Sequence, residues 1–424
     1  MLFILLALAI SFGLDKKAEA ALLNSGFFDV TQVEQAITEK LQGRIGPNGQ
    51  GSMINDQAGT ATGTPTTATS TTSTSTAPAT KPAGSFLQDL FGTSQSTAAD
   101  PDERSEGPYI EIVDPSGFVN SQPFKLADLV GKKVILLDFI DYSCINCERT
   151  FPYLEEWYNK YGPDGFVVVA IHTPEFAFEK QISNVQAAAK QFGLTFPIVL
   201  DNDYATWNAY QNEYWPHKYL IDIHGNIVYD HIGEGNYDQT EAEIVKQLNI
   251  AHAFLGEPAD VTEATTSLPS DYTINADSPE TYFGSSRNEY FGNGDPGVAG
   301  TQVYPAESTS ATLSPDEFYL GGSWDIEQEY AQAKSASSTI SYVFDAANMY
   351  MVAASADGTP VTATILIDGK PIPAAWQGAD VQDGILTITG SRLYSLFSSS
   401  IMGQHRIDII FNKPGVQAYT FTFG

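Results

Sequence analysis

The stretch Lys132 to Thr150 constrains this chain more than any other. It reads K-K-V-I-L-L-D-F-I-D-Y-S-C-I-N-C-E-R-T. Val134, Ile135, Leu136, Leu137, Phe139 and Ile140 make a nearly continuous apolar run, too short for a helix of its own and rich in strand formers, which predicts a buried strand interrupted by Asp138. Cys144-Ile145-Asn146-Cys147 follows, and a helical pattern follows that. A strand, a short turn and C-x-x-C opening a helix is the layout of a thiol–disulfide redox site.

The chemistry asks for these residues at this spacing. A cysteine at a helix N-terminus sits among free backbone N–H groups that favour its thiolate. Cys147 lies one helical turn on, within reach of a disulfide bond. Cys144 is therefore expected to attack a substrate disulfide and Cys147 to resolve the mixed disulfide. Asp138 is the expected base for Cys147, because a carboxylate on an apolar strand needs a role or a partner, and burial raises its pKa. The competing reading pairs Asp138 with a nearby lysine. The chain has only two cysteines, and no histidine stands at ligand spacing from them, so no metal site is expected. No cofactor is expected beyond the Cys144–Cys147 pair itself.

The 424 residues allow two or three domains. A formal charge of −30, from 21 basic and 51 acidic residues, argues against nucleic acid and anionic lipid headgroups as partners. Residues 1–15 read as an apolar membrane segment or the end of a membrane domain, although Leu2 to Leu14 is short for a span. Lys16 and Lys17 after it would, by the positive-inside rule, leave the downstream side cytoplasmic. Residues 16–46 hold an amphipathic helix on Val33, Ile37 and Leu41. Residues 47–106, rich in Thr, Ser, Ala and Pro, read as a disordered tether with a span of about 40 Å.

Residues 107–257 alternate strand and helix patterns and close on a hairpin and a helix. That predicts an α/β domain with a mixed sheet and helices on both faces. A hairpin across Asp114-Pro115-Ser116-Gly117 is expected to open it. Residues 258–277 read as a linker. Residues 278–424 carry many short strand patterns, among them Thr339 to Phe344, Met349 to Ala353 and His405 to Phe411, with turns at Asp368-Gly369 and Asp383-Gly384. They predict an all-β sandwich or jelly roll.

Here a resemblance becomes specific. The strand, the C-x-x-C helix and Trp215-Pro216 before a hairpin resemble the thioredoxin fold. H-T-P-E-F-A-F from His172, D-N-D-Y-A-T-W from Asp201 and Y-W-P from Tyr214 narrow it to DipZ-type, TlpA-like proteins. That resemblance implies a buried aspartate at Asp138 and a cis proline at Pro216, opposite the cysteines. It places Trp215 and Pro216, with Tyr142, Ile145 and Asn146, as substrate-binding residues; by position, His172 and Glu175 at the C-terminal end of a strand and His217 after the proline are candidates for tuning the site. It implies an extracytoplasmic location, disulfide-containing protein substrates and a membrane electron donor of CcdA type. P-E-T-Y-F-G from Pro279 and G-V-Q-A-Y-T-F-T-F-G at the end resemble the carbohydrate-binding-like domain of the same family, which makes a glycan its candidate ligand. Trp324, Tyr330, Trp376 and Tyr394 are the aromatic residues available to stack on a sugar.

The function expected is a membrane-tethered thiol:disulfide oxidoreductase that reduces or maintains thiols of envelope proteins. One alternative is a peroxiredoxin-like thiol peroxidase, for which Thr150 and Arg149 stand on the wrong side of the pair. Another is a glycan-binding surface module with an auxiliary redox domain.

Overall fold

Strand β3 (Val134–Ile140) is buried along its whole length and lies at the centre of a seven-stranded sheet. The structure, a computed structural model, describes residues 107–263, 268, 275–305 and 311–424. The expected membrane segment, amphipathic helix and tether lie outside the described residues, as does part of the expected linker. All described residues fall in one compact unit.

The other strands of this sheet are β1 (Gly107–Pro108), β2 (Gly117–Val119), β4 (Phe166–His172), β5 (Ile198–Leu200), β6 (His217–Ile221) and β7 (Asn226–Ile232), in the order β1-β7-β6-β3-β4-β5-β2. The pairs β3–β4 and β4–β5 are parallel and the rest antiparallel. Helices α1 (Ile145–Tyr161), α2 (Ile182–Phe192), α3 (Ala205–Ala209) and α4 (Tyr237–Leu255) complete a thioredoxin-like domain. The period of two along β3 sorts its side chains between two cores. Val134, Leu136 and Ile140 pack with Cys147, Leu154, Ile244 and Leu248. Ile135, Leu137 and Phe139 pack on the other face with Trp207, Tyr210 and Tyr219.

The opening hairpin does not form. β1 pairs with β7 and β2 pairs with β5, at opposite edges of the sheet. The turn chemistry at Asp114 is real, since its φ is +41°, but each flank gains more from an open sheet edge than from its neighbour in sequence.

The C-terminal half is one eleven-stranded sheet, antiparallel in its strand pairings. Its strands are β8 (Thr281–Tyr282), β9 (Gly300–Tyr304), β10 (Phe318–Ile326), β11 (Ala331–Ala333), β12 (Thr339–Ser355), β13 (Val361–Ile367), β14 (Lys370–Pro371), β15 (Val381–Gln382), β16 (Ile385–Ile388), β17 (Arg392–Phe411) and β18 (Val416–Phe423). β12 pairs with both β10 and β18, and β11 bridges those two, so the sheet closes into a ring at that end. The segments Thr339 to Phe344 and Met349 to Ala353 are one strand of 17 residues, not two. Register shifts near Ala346 and Met349 absorb the polar Asp345–Asn348 interval that reads as a break. Asp368-Gly369 and Asp383-Gly384 both have positive φ at both positions, the requirement of a two-residue hairpin turn.

Candidate functional site

Cys144 caps the N-terminus of α1, with extended backbone dihedrals (φ −83°, ψ 121°), and its carbonyl accepts the first helical hydrogen bond from Glu148 N. Both cysteines are free thiols; Cys144 is half-buried and Cys147 buried. The Trp215–Pro216 bond is cis, and the Trp215 carbonyl lies 4.0 Å from Cys144 Sγ. The Trp215 indole donates to Thr173 O and packs on Trp207. Burial, and then the neighbouring Cys144, push the Cys147 thiol well up from its ordinary pKa. The two sulfurs are thus unequal: Cys144 is the more accessible, and burial disfavours the thiolate of Cys147.

Asp138 lies on the same sheet face as α1, by the alternation along β3, and is fully buried. Lys218 stands directly across from it on β6 and is equally buried. Its Nζ lies 3.9 Å from Asp138 Oδ2 and donates to Gly233 O. Burial raises the Asp138 pKa, and Lys218 and then His217 oppose that rise. Asp138 is thus lysine-paired as well as placed on the dithiol side.

Four further candidate residues are held by contacts of their own. His217 faces Phe139 across β3–β6, on the sheet face away from Asp138, where it bonds Asn212, Tyr219 and Asp230. Glu175 is held by Arg287 at 2.6 Å and by Tyr282 at 2.9 Å, both from the C-terminal half. Tyr142 and Ile145 do not line an open groove. Ile145 is 7% exposed and packs with Phe176, Val352, Ala354, Leu393 and Tyr419, and the Tyr142 hydroxyl donates to Ser391 O. The C-terminal half covers this flank of the redox site. Asn146 stays half-buried and accepts from Arg149, which also pairs with Glu234 at 2.9 Å. Beside α1 the two halves border an open pocket of about 300 Å³ lined by Glu148, Gln191, Tyr350, Asp380, Arg392 and Ser395 among others.

His172 is fully buried, stacks on Tyr142, and has its Nε2 3.5 Å from Asp141 Oδ1. It belongs to a group that the sequence reading missed: Asp141, Ser143 and Glu179, all buried. The signal was Asp141 itself, a second carboxylate at the end of an apolar strand. Among the sugar-stacking candidates, Trp324 and Tyr394 are fully buried core residues, Tyr330 packs on Tyr419, and Trp376 packs on His405.

Residues 109–248 match the Redoxin family, and residues 278–424 match the family described as thioredoxin like C-terminal domain. Protein DipZ of Mycobacterium tuberculosis, like that of Mycobacterium bovis, is 34% identical over 312 residues, covering 73% of this chain and 42% of DipZ. The chain thus spans less than half the length of these relatives. Thiol-disulfide oxidoreductase YkuV of Bacillus subtilis is 28% identical over 141 residues, which is 33% of this chain and 94% of YkuV. A thioredoxin-like protein solved in its oxidised form is 27% identical, covering 34% of this chain and 95% of its own, with a TM-score of 0.31.

Proposed function

We propose that this chain, whose residues 109–248 match the Redoxin family and whose residues 278–424 match the thioredoxin like C-terminal domain, is an oxidoreductase that reduces protein disulfides outside the cytoplasm through its Cys-Ile-Asn-Cys dithiol. The observation that carries the reading is the asymmetry of the sulfurs. Cys144 is half-buried at a helix N-terminus beside the Trp215 carbonyl, and Cys147 is sealed behind it.

In the proposed cycle Cys144 Sγ attacks a substrate disulfide and one substrate thiolate leaves. Cys147, having lost its proton, attacks Cys144 Sγ and the second substrate thiolate leaves. The dithiol gives up two electrons to become a disulfide, and the substrate disulfide becomes two thiols. An extended substrate pairs with the backbone of Trp215, with Pro216 and Asn146 as further contacts in the proposed complex. Asp138 assists as the carboxylate on the Cys147 side of the sheet. The cycle needs no metal or organic cofactor, because the sulfurs carry the electrons. Disulfide-containing envelope proteins are the proposed substrates, and a membrane donor of CcdA type the proposed source of electrons.

The apolar Leu2 to Leu14 stretch and the 47–106 tether support membrane attachment on the sequence alone. No helix among the described residues is long and apolar enough to cross a membrane. The C-terminal domain is proposed to engage an envelope glycan or a partner, with Tyr330 and Trp376 the half-buried aromatic residues left to contact it.

Insulin reduction by the full chain, with dithiothreitol as electron source, tests the reading. Cys144→Ser is expected to abolish it. Equilibration with glutathione buffers is expected to give a potential near thioredoxin's, roughly −270 mV. A value near about −120 mV would make the protein an oxidant, and failure to titrate would sink the redox reading.

A further inference from the structure

The attacking sulfur stands between two residues that the C-terminal half has already covered. Tyr142, two places before Cys144, is 4% exposed, and its hydroxyl donates to Ser391 O at 3.1 Å. Ile145, the residue after Cys144, is 7% exposed in the cluster with Val352, Leu393 and Tyr419. The loop after β4 is tied down in the same way. Glu175 is paired with Arg287 at 2.6 Å, Ala177 N donates to Glu329 at 3.0 Å, and the rings of Phe176 and Phe178 meet that of Tyr419 with centroids 5.0 and 4.8 Å apart. Phe178 in turn lies edge-on to Tyr142, 6.2 Å away. Trp215, by contrast, is half-buried and held by Thr173 and Trp207 of its own half, and its carbonyl lies 4.0 Å from Cys144 Sγ.

The cover is built of sheet. Val352 of β12 pairs directly with Leu393 of β17 and with Thr420 of β18, next to Tyr419, so the side chains pressed on Ile145 and Phe176 come from strands bonded to one another. Such a cover does not swing aside as a loop does. What it leaves uncovered decides which disulfides arrive, because exchange depends on access to the sulfurs. An extended chain added along Trp215 needs a strip about 4.8 Å wide. A disulfide set in a folded surface brings that surface with it, and a protein–protein contact of ordinary size takes about 800 Å² from each partner. On the Tyr142–Ile145 flank the residues that would receive such a surface are already buried.

We propose that the C-terminal half is a wall of the substrate site and sets its substrate class: Leu393, Val352 and Tyr419, seated on Ile145 and Phe176, close one flank of Cys144 and leave the Trp215 side to the substrate. The disulfides reduced are then those carried on extended chain, whether unfolded, terminal or in a long loop, and disulfides set in a folded surface are disfavoured. The wall residues select substrates through Ile145 and Phe176, and the bonds made and broken stay those of the cycle above. The inference rests on the dithiol being the redox centre proposed above.

Alkylation measures access without any redox chemistry. The reduced full chain is treated with N-ethylmaleimide and, separately, with ubiquitin carrying a maleimide on its surface, and the adduct at Cys144 is read by mass spectrometry. Both reactions use the same Cys144 thiolate, so their ratio is independent of its pKa; the same two reagents acting on reduced glutathione give the unhindered ratio. The wild type is expected to disfavour the ubiquitin reagent by about tenfold or more beyond that ratio. Leu393→Asp, which puts a charge into the apolar contact and forces the wall off Ile145, is expected to recover most of it. Should that variant fail to fold, Arg287→Glu, at a half-buried position facing Glu175, frees the loop by like-charge repulsion and is expected to give the same recovery. No handicap in the wild type overturns the proposal, and so does a handicap that both variants keep. Reduction is read next, on a linear peptide and on folded ubiquitin that each carry a glutathionyl disulfide. Equal kcat/KM on the two overturns the wall and leaves the reductase reading standing. If neither is reduced while the alkylation handicap holds, the reductase reading falls and the wall is upheld by the maleimides alone.

Discussion

At the scale of single residues, buried charge dominates this molecule. Asp138 and Lys218 are both fully buried and face each other across two strands. Removing one partner of such a pair leaves the other charge stranded. Lys218→Met is expected to cost about 3–5 kcal/mol in urea unfolding, and the Asp138→Asn/Lys218→Met double variant to recover most of it. A loss under about 1 kcal/mol would mean that Asp138 is already protonated at rest. Glu148 gives a second prediction. Burial between α1 and the C-terminal half, partly opposed by Arg392, pushes its carboxyl up to about 8. A folded pKa above the unfolded one means that folding takes up a proton, so the contribution is complete below the ordinary glutamate range and is lost as pH rises through about 8. Glu148→Gln should flatten the fall in melting temperature over that interval; an unchanged profile would put Glu148 outside the titration. Asp138 was legible because a carboxylate in an apolar run is conspicuous. Its lysine and the meeting of Asp141 and Glu179 at Ser143 were not, since both join segments far apart in the chain that only the fold brings together.

Among the elements, the redox half was readable because its strands and helices have different periods, and α1 and β3 carry theirs cleanly. The C-terminal strands were harder. β17 spans Arg392–Phe411, yet its serines, Gly403 and Gln404 carry no apolar alternation, because four residues between Ser398 and Gly403 fall outside the register with β12 and β13 joins only at Ile407–Phe411. Local sequence also misjudged the β1 and β2 segments, whose partners lie far along the chain. Burial varies sharply along β17: Leu393, near its start, is 4% exposed within the cluster around Ile145, and Ile401, at its middle, is 75% exposed. Leu393→Ala is expected to cost about 2–5 kcal/mol, and Ile401→Ala to stay within about 0.5 kcal/mol, both by urea denaturation. Similar costs at the two sites would mean that the contact between the halves contributes little in solution.

Over the whole molecule, the two halves share more than a linker. Glu175–Arg287, Ala177 N to Glu329, and the cluster of Ile145, Phe176, Val352, Leu393 and Tyr419 join them beside the dithiol. Calorimetry of the full chain is therefore expected to show one melting transition, and Leu393→Asp to split it in two. Two separate transitions in the wild type would show that the halves melt independently. β12 embodies the coupling. Met349, Met351 and Ala353 belong to the core of the C-terminal sheet, while Val352 and Ala354, on the strand's other side, pack toward the redox half with Tyr350 beside them. A strand committed on both faces has little room to drift. Neither half is then a free cassette: a chimera that replaced the redox domain would have to bring along matching residues at the start of α1 and at Glu175–Phe178, so the two would be inherited as a pair.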